Sequence, residues 1–167
     1  MRVHAFICTR SKNLNNTTTK LVNYLKDASV AVSLIVNSSS IFSGYKRAFE
    51  QVNPDPNDII ILCHDDLEIL NSKESFLEIL LKSLTKEPKA GFVGVAGTTY
   101  LSEDAVWWNQ EVWKAGLHSG YVLHGKDVCD AEPTYYGPYK EVVALDGLFL
   151  AATAKTIEKI GLDKPDY

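Results

Sequence analysis

The first 85 residues alternate between two hydrophobic periods, and this alternation limits the possible folds more than any other feature of the chain. Continuous apolar runs predict strands at residues 3–8, 30–36 and 59–63. Between these runs, apolar residues recur three and four positions apart, as on one face of a helix, within Leu21–Ala28 and Tyr45–Val52. The resulting βαβαβ order predicts a parallel sheet that is covered by helices on both faces.

The remainder of the chain predicts more elements of the same two kinds and one long interval without any. The expected elements are a helix over 75–85, strands over 92–96, 141–145 and 148–152, and a helix over 155–160 ended by Gly161. From residue 98 to residue 140 the pattern lapses in a stretch rich in Trp, Tyr, Gly and His. Irregular segments of this length are more often functional than idle.

Local signals indicate where helices begin and where the chain turns. Asn16 and Thr17 are the expected caps of the first helix, and Asn71, three residues before a glutamate, resembles the start of a capping box. The segment Asn53–Asp58 contains two prolines, which bar a helix, and is expected to act only as a sharp turn into the third strand.

Composition indicates one globular domain and argues against several classes of partner. A chain of 167 residues corresponds to about one domain. Its 17 basic and 21 acidic residues form no basic cluster, which argues against nucleic acid. The apolar runs are too short for a membrane helix and no signal peptide is apparent, so a cytoplasmic protein is expected. Cys8, Cys63 and Cys129 are odd in number and widely spaced, which favours reduced, buried thiols.

The acidic segment His64–Glu68 follows the buried third strand directly. Ligands of open α/β sheets bind beyond the carboxyl ends of the strands, and adjacent carboxylates repel each other unless a cation offsets their charge. Mg²⁺ and Mn²⁺ bind through one or two carboxylates together with substrate phosphate oxygens, so this segment is a candidate metal site. The alternative is a solvated acidic turn whose side chains cap the next element.

Two further polar loops are predicted at the same edge of the sheet. Thr9 and Arg10 follow the first strand, where Arg10 could pair with a phosphate, and Asn37–Ser40 follows the second, where it could receive a base, a ribose or a phosphate. Ordinary turn chemistry and an exposed arginine are the alternatives. Lys46 and Lys126 either neutralise a phosphate or are solvated surface cations. No glycine-rich dinucleotide or P-loop motif is present.

The order of these segments resembles GT-A nucleotide-sugar glycosyltransferases of the family-2 type. The later segments Gly91–Gly97, Trp107-Trp108 and Val142–Ala151 are similar to the streptomycin-biosynthesis-type glycosyltransferase-like family, so the resemblance covers nearly the whole chain. It implies an α/β, Rossmann-like GT-A fold with a mixed, mostly parallel sheet flanked by helices. It also implies one domain over 1–167, with a nucleotide-binding half at 1–97 and an acceptor-side half at 98–167.

The resemblance also implies roles for individual residues. Asp66 matches the second acid of the family's Asp-X-Asp metal motif, with Asp65 between it and His64, which stands where the first acid usually is. Mn²⁺ or Mg²⁺ is the implied cofactor, and imidazole suits Mn²⁺ better. Asn37 matches the position that contacts the base or ribose of the donor. The implied donor-binding residues are Thr9, Arg10, Asn37, Ser38, Lys46 and Asp65.

On the acceptor side, Asp146 matches the segment beside the sugar and the acceptor, and is the candidate general base or else a turn residue. Trp107 and Trp108 are candidate acceptor-binding residues, because aromatic rings cover the apolar faces of sugars, with lid packing as the alternative. In the family, the chain continues to a further acidic motif, whereas this sequence ends at Tyr167, before that motif. The chain is therefore a piece of a longer one, a short protein that lacks the base, or one in which Asp146 substitutes for it.

The predicted function is metal-assisted, inverting transfer of a sugar from a nucleotide-diphosphate sugar to the hydroxyl of an unknown acceptor. One alternative is a non-catalytic nucleotide-sugar or carbohydrate-binding module of the same fold. Others are a metal-dependent phosphohydrolase that uses His64, Asp65 and Asp66, and a purely structural interaction domain. His118 and His124 either approach the metal or are ordinary loop histidines.

Overall fold

The computed structural model describes residues 1–85, 91–103, 106–126 and 128–162. The chain forms two compact units, unit 1 from Met1–Val93 and Phe149–Tyr167, and unit 2 from Gly94–Leu148. Its elements in chain order are β1 (Val3–Thr9), α1 (Asn16–Asp27), β2 (Ala31–Val36), α2 (Ile41–Val52), β3 (Ile59–Cys63), α3 (Lys73–Thr85), β4 (Val93–Gly94), β5 (Ala96–Thr98), α4 (Gln110–Lys114), β6 (His118–His124), a 3-10 turn (Val128–Asp130), β7 (Glu132–Gly137), β8 (Ala144–Leu145), β9 (Phe149–Thr153) and α5 (Ala154–Ile160).

The sheet of unit 1 has the strand order β2-β1-β3-β9-β4. β1 pairs in parallel with both β2 and β3, as the βαβαβ pattern predicts. β9 pairs antiparallel with β3, from Ile59 opposite Thr153 to Cys63 opposite Phe149. The predicted fold class, a mixed and mostly parallel sheet flanked by helices, is therefore confirmed.

Both faces of this sheet are buried, which explains why β3 is apolar at every position. Ile59, Ile61 and Cys63 pack with α1 and α3 in one core cluster, while Ile60 and Leu62 pack with α2 and α5 in another. Successive side chains of a strand point to opposite faces, so a strand that is covered on both sides needs a continuous apolar run.

Two helices begin at residues other than those predicted. The N-cap of α1 is Asn15, whose side chain accepts a backbone hydrogen bond at 2.8 Å, and Asn16 and Thr17 already belong to the helix. Before α3, the hydroxyl of Ser72 accepts a first-turn backbone N–H at 3.2 Å, so Ser72 caps this helix in place of Asn71. Each cap is the residue whose backbone leaves the helix while its side chain reaches back to it, a geometry that residue type alone does not identify.

Unit 2 contains a separate four-stranded sheet with the order β7-β6-β5-β8. The pairings between its described strands are antiparallel, and the register between β6 and β7 shifts at Gly120/Tyr121. The interval 98–140 thus holds α4, β6 and β7. The sequence does not predict the strands of this interval, because they contain tyrosines and glycines instead of alternating aliphatic residues. Gly120 and Gly137 have positive φ angles. The strand expected over 92–96 is divided between β4 and β5, which belong to different sheets.

Two remaining expectations concern membrane helices and cysteines. Of the helices in the described residues, none has the length and apolar character needed to cross a membrane. The three cysteines are free thiols, as predicted. Cys129, however, is exposed and not buried, because it lies in the 3-10 turn of unit 2.

Candidate functional site

Three polar loops leave the unit 1 sheet at one edge. Because β2, β1 and β3 are adjacent and parallel, their carboxyl ends lie side by side, with Thr9 opposite Val36 and Ile7 opposite Cys63. Thr9 and Arg10, the segment Asn37–Ser40, and the segment His64–Asp66 all follow these ends. The sheet topology therefore brings together the three loops that the sequence analysis predicts to bind the donor.

The loop after β2 is held by α2. Asn37 has a left-handed backbone with φ of 58°, which asparagine tolerates better than most residues. The guanidinium of Arg47 donates from Nη2 to Ser38 Oγ at 3.0 Å and to the Val36 carbonyl at 3.4 Å. A Cβ atom added to Gly44 would lie 2.9 Å from both Cys8 Sγ and Ser38 Oγ, so α2 packs tightly against the ends of β1 and β2.

The backbone of the loop after β3 is held from two sides. The Thr18 hydroxyl of α1 donates to the Asp65 carbonyl at 2.9 Å, and the buried Tyr45 hydroxyl of α2 donates to the Cys63 carbonyl at 3.2 Å. The side chains of His64 and Asp66 remain 46% and 73% exposed, with His64 Nδ1 at 3.9 Å from Asp66 Oδ1. A fixed backbone thus carries two exposed potential ligands.

The thiols near this edge stay protonated at neutral pH. Burial raises the pKa of Cys8 to about 11, although the charge of Arg47 opposes the change. Burial likewise raises the pKa of Cys63 to about 12, with smaller contributions from Cys8 and Asp65. Because metal binding and nucleophilic attack need the thiolate, neither cysteine is suited to these roles.

The candidate metal ligands are one imidazole and one carboxylate, His64 and Asp66. Within the described part of the chain, no group of three or more His, Cys, Asp or Glu side chains could hold a metal ion. His64 and Asp66 fit a divalent cation whose remaining ligands are water and phosphate oxygens, an arrangement common for cations that act on nucleotides. The imidazole makes this pair more suitable for Mn²⁺ than for Mg²⁺.

In unit 2, the two adjacent tryptophans have different environments. Trp107 is 8% exposed, whereas Trp108 is 62% exposed and meets the Trp107 ring edge-on at 6.0 Å. The Trp107 carbonyl accepts a hydrogen bond from His118 Nε2 at 2.6 Å, which fixes the tautomer of that imidazole. Trp108 is therefore the one of the pair that offers a free ring surface, and Trp107 supports it from the core.

His118 is at the centre of an aromatic cluster. Its ring lies 5.8 Å from Trp107, 5.3 Å from Trp113 and 6.3 Å from Tyr136, between ring centroids. The ring is buried, and Nδ1 has no hydrogen-bond partner among the described residues. His124, in contrast, is exposed and meets the Tyr136 hydroxyl at 3.4 Å. His118 is a core residue of unit 2 and not a loop histidine.

Asp146 has a turn contact in unit 2. Its Oδ1 accepts the backbone N–H of Leu148 at 2.6 Å, and its own N–H donates to the Ala96 carbonyl at 2.9 Å. Burial raises the pKa of Tyr136, and the negative charge of Asp146 adds to this effect. The Asp146 carboxylate thus combines a structural hydrogen bond with a position near a tyrosine hydroxyl.

The sequence analysis did not identify the residues that support the loops. Thr18 lies three and seven positions before Leu21 and Leu25, on the apolar face of α1, and a polar residue on such a face signals a buried hydrogen bond. Gly44 and Tyr45 likewise lie on the buried face of α2. Lys46 and Arg10 are exposed on unit 1, and Lys126 is exposed on unit 2.

Comparison with known proteins gives one result of wide coverage. The model of a family described as "Glycosyltransferase like family" matches residues 5–158, a range that includes segments of both units. No curated protein gives a significant match to the chain. The mixed α/β architecture is consistent with a GT-A-like fold, whereas the narrower streptomycin-biosynthesis type remains a prediction. The chain belongs to this glycosyltransferase-like family.

Proposed function

We propose that the protein transfers a sugar from a nucleotide-diphosphate sugar to an acceptor hydroxyl, with metal assistance and inversion at the sugar carbon. Membership of the family supports a glycosyltransferase-type function. The observation that carries the proposal is the convergence of three polar loops at the carboxyl ends of β1, β2 and β3. This edge of an open α/β sheet is where nucleotides bind in other folds of this class.

The donor would bind along this edge. Arg10 supplies a charge for a phosphate, and the turn at Asn37 presents a polar side chain beside the Ser38 hydroxyl that Arg47 orients. Hydrogen-bonding groups on a fixed backbone orient a ligand with little loss of entropy. The proposed donor-binding residues are Thr9, Arg10, Asn37, Ser38, Lys46 and Asp65.

Asp66 and His64 would hold the divalent cation together with the donor diphosphate. When bound, the cation would stabilise the negative charge that develops on the departing diphosphate. The hydrogen bonds from Thr18 and Tyr45 fix the backbone of the loop after β3. The loop that carries His64 and Asp66 is therefore already positioned before the donor binds. Their exposed side chains leave room for phosphate oxygens.

Asp146 would act as the general base. In the proposed step the acceptor oxygen bonds to the anomeric carbon, the bond from that carbon to the diphosphate breaks, and its electron pair leaves with the diphosphate. Asp146 takes the proton of the acceptor hydroxyl through the carboxylate oxygen that is not bonded to Leu148. The exposed ring of Trp108, backed by Trp107, is the proposed acceptor surface.

One observation favours a second candidate, donor binding without transfer. The hydrogen bond from Leu148 to Asp146 at 2.6 Å is typical of a turn residue, and a carboxylate engaged in this way need not act as a base. Release of nucleoside diphosphate, measured for the wild-type chain and for Asp146→Asn, distinguishes the two candidates. In a transferase this variant retains donor binding and loses release of nucleoside diphosphate, whereas in a binding module the wild-type chain already shows no release.

Thermal unfolding with UDP-, GDP-, CDP- and dTDP-sugars, each with Mn²⁺, Mg²⁺ or EDTA, tests the donor site. A ligand at 100 times its Kd adds about 2.7 kcal/mol to the free energy of unfolding, which raises the midpoint measurably. One nucleotide is expected to give a metal-dependent rise. If no combination of nucleotide sugar and metal ion raises the unfolding midpoint, donor binding is refuted.

Asp66→Ala tests the metal ligand. The metal-dependent rise in midpoint should disappear, while the midpoint without ligand stays unchanged because this side chain is 73% exposed. Glu158→Ala, which removes an exposed carboxylate from α5, is the matched control and should retain the rise. Binding of wild-type strength with Mn²⁺ in the Asp66→Ala protein would contradict the role of Asp66.

A further inference from the structure

A cavity of about 260 Å³ lies beside β2 and reaches Val36, the residue before the Asn37–Ser40 loop. Four consecutive strand residues, 33–36, line it together with Lys12 and with Arg47, Ala48 and Gln51 of α2. Successive residues of a strand point to opposite faces, so a cavity lined by four in a row runs along the edge of the strand and not over one face. Ile35 agrees with this geometry, because its side chain is buried in the core and yet the residue borders the cavity.

β2 is the terminal strand of the unit 1 sheet. In the ranges that the structure describes, β1 is its strand partner on one side and no strand pairs with the other. A terminal strand presents unpaired N–H and C=O groups, which can pair with an added strand from another chain. β2 has six residues, or about 20 Å at 3.3 Å per residue, which is the length of a typical paired strand and much longer than a single phosphate.

The charge along this edge is positive. Lys12 and Arg47 border the cavity, and no carboxylate is among the residues that line it. Among the residues that the structure describes, the Arg47 hydrogen bonds to Val36 and Ser38 both use Nη2, which leaves its other nitrogens for a ligand. Within the described residues Lys12 has no ion pair. Two cations beside a free strand edge complement an acidic ligand.

We propose that the free edge of β2 is a docking site for an acidic, extended segment of a partner protein, which joins the sheet as an additional strand. Main-chain hydrogen bonds to residues 33–36 would hold the segment, as in other cases of strand addition. Its carboxylates would pair with Lys12 and Arg47, and an aliphatic side chain would cover Leu34, which is 39% exposed. The proposal does not depend on the sugar-transfer reaction.

A second copy of the chain fits this edge less well. Two identical chains that paired through β2 would bring the same patch of each copy together. The residues that line the cavity include no carboxylate, so the same patch of a second copy offers no acidic partner to Lys12 and Arg47. Charge complementarity therefore selects an acidic partner.

The full-length protein is titrated into a fluorescently labelled, acetylated and amidated peptide of eight residues in which Glu and Val alternate, and fluorescence anisotropy measures binding. We expect saturable binding. Lys12→Glu and Gln51→Glu should each weaken it at least about tenfold, because each places a negative charge beside the peptide carboxylates. Lys159→Glu, an equal charge reversal on α5 outside the cavity lining, should leave the affinity unchanged.

Two further peptides identify the kind of contact. A peptide that is N-methylated at every residue keeps its charges but cannot donate main-chain hydrogen bonds on either edge, and a peptide with Lys in place of Glu reverses the charge. Neither should bind. Equal binding of the N-methylated peptide would show charge attraction alone and would overturn the proposal. Absence of binding of the Glu/Val peptide up to about 1 mM would also overturn it and would indicate that the cations only protect the edge from pairing.

Discussion

Asp58 is a buried carboxylate at the entrance to β3, and its side chain has no exposed surface. It accepts hydrogen bonds from the Arg2 backbone N–H at 2.6 Å, from Arg2 Nε at 3.1 Å and from the Asp55 backbone N–H at 3.1 Å. His4 Nε2 lies 3.5 Å from it. The proline-rich turn before β3 is thus more than punctuation, because it delivers a charged group that joins the starts of β1 and β3.

The pKa of Asp58 gives stability a defined dependence on pH. Burial alone would raise this pKa, but the hydrogen bonds and the charge of Arg2 outweigh burial and lower it to about 2. Because the folded pKa lies below the unfolded value of about 3.9, the ionised group stabilises the protein above about pH 4. This contribution is lost as the pH falls from about 4 to about 2.

We expect Asp58→Asn to lower the free energy of unfolding at pH 7 by about 2 kcal/mol, because buried donors lose a charged acceptor. The pH dependence between about pH 4 and pH 2 should become flatter. Urea unfolding at several pH values measures both effects. Asp55→Asn is the control, since the Asp55 side chain forms an exposed ion pair with Arg2 whose loss should cost less than about 1 kcal/mol. Equal losses in the two variants would contradict the assigned role of Asp58.

At the scale of elements, α1 connects helix capping to the candidate site. The Asn15 side chain accepts hydrogen bonds from the N–H of Thr18 at 2.8 Å and from its hydroxyl at 3.0 Å. The same hydroxyl lies 2.9 Å from the Asp65 carbonyl, so its single proton is shared between the Asn15 and Asp65 oxygens. The cap of α1 and the loop after β3 therefore share one threonine, and a change at the cap should be felt at the loop.

Asn15→Ala should lower the free energy of unfolding by about 1 kcal/mol, the usual effect of removing an N-cap. Asn16→Ala is the matched control, because Asn16 lies inside the helix and its substitution should change stability by less than about 0.5 kcal/mol. Chemical denaturation followed by circular dichroism measures both variants. A larger effect at Asn16 would mean that the helix begins where the sequence alone predicts.

Elements with a strong local period are those that the sequence predicts well. β3 lies at the predicted residues 59–63, because a strand that is buried on both faces must be apolar throughout. The start of α1 is missed because neighbouring asparagines are equally good caps by residue type. The sequence does not predict β6 and β7, because their pairing depends on glycines at a register shift. Glycine residues produce no hydrophobic period that would indicate a strand.

At the scale of the whole molecule, unit 1 is built from two separate parts of the chain. Unit 2 occupies residues 94–148, and the chain then returns as β9, which lies between β3 and β4 in the unit 1 sheet. β9 and α5 bury Phe149, Ala151, Ala152 and Ile157 in both core clusters. Unit 1 therefore depends on residues that are translated after unit 2.

A chain that ends at Leu148 should lose the cooperative unfolding of unit 1. Burial of each large apolar side chain contributes about 1.5–3 kcal/mol, and the lost strand and helix together approach the total stability of about 5–15 kcal/mol that is typical of a domain. Urea unfolding followed by circular dichroism, compared with the full chain, measures the loss. A cooperative transition of unchanged midpoint in the shortened chain would contradict the interior position of β9.

The amino-acid sequence by itself determined the order of strands and helices in the first 85 residues and the polar residues that follow each strand, because hydrophobic period and residue type are local properties. Only the tertiary structure decided that β9 enters the sheet antiparallel, that Asp58 is buried and paired with Arg2, and that Trp107 is buried while Trp108 is exposed. These outcomes depend on which distant surfaces meet, since burial and pairing are properties of both partners and are not encoded in either segment alone.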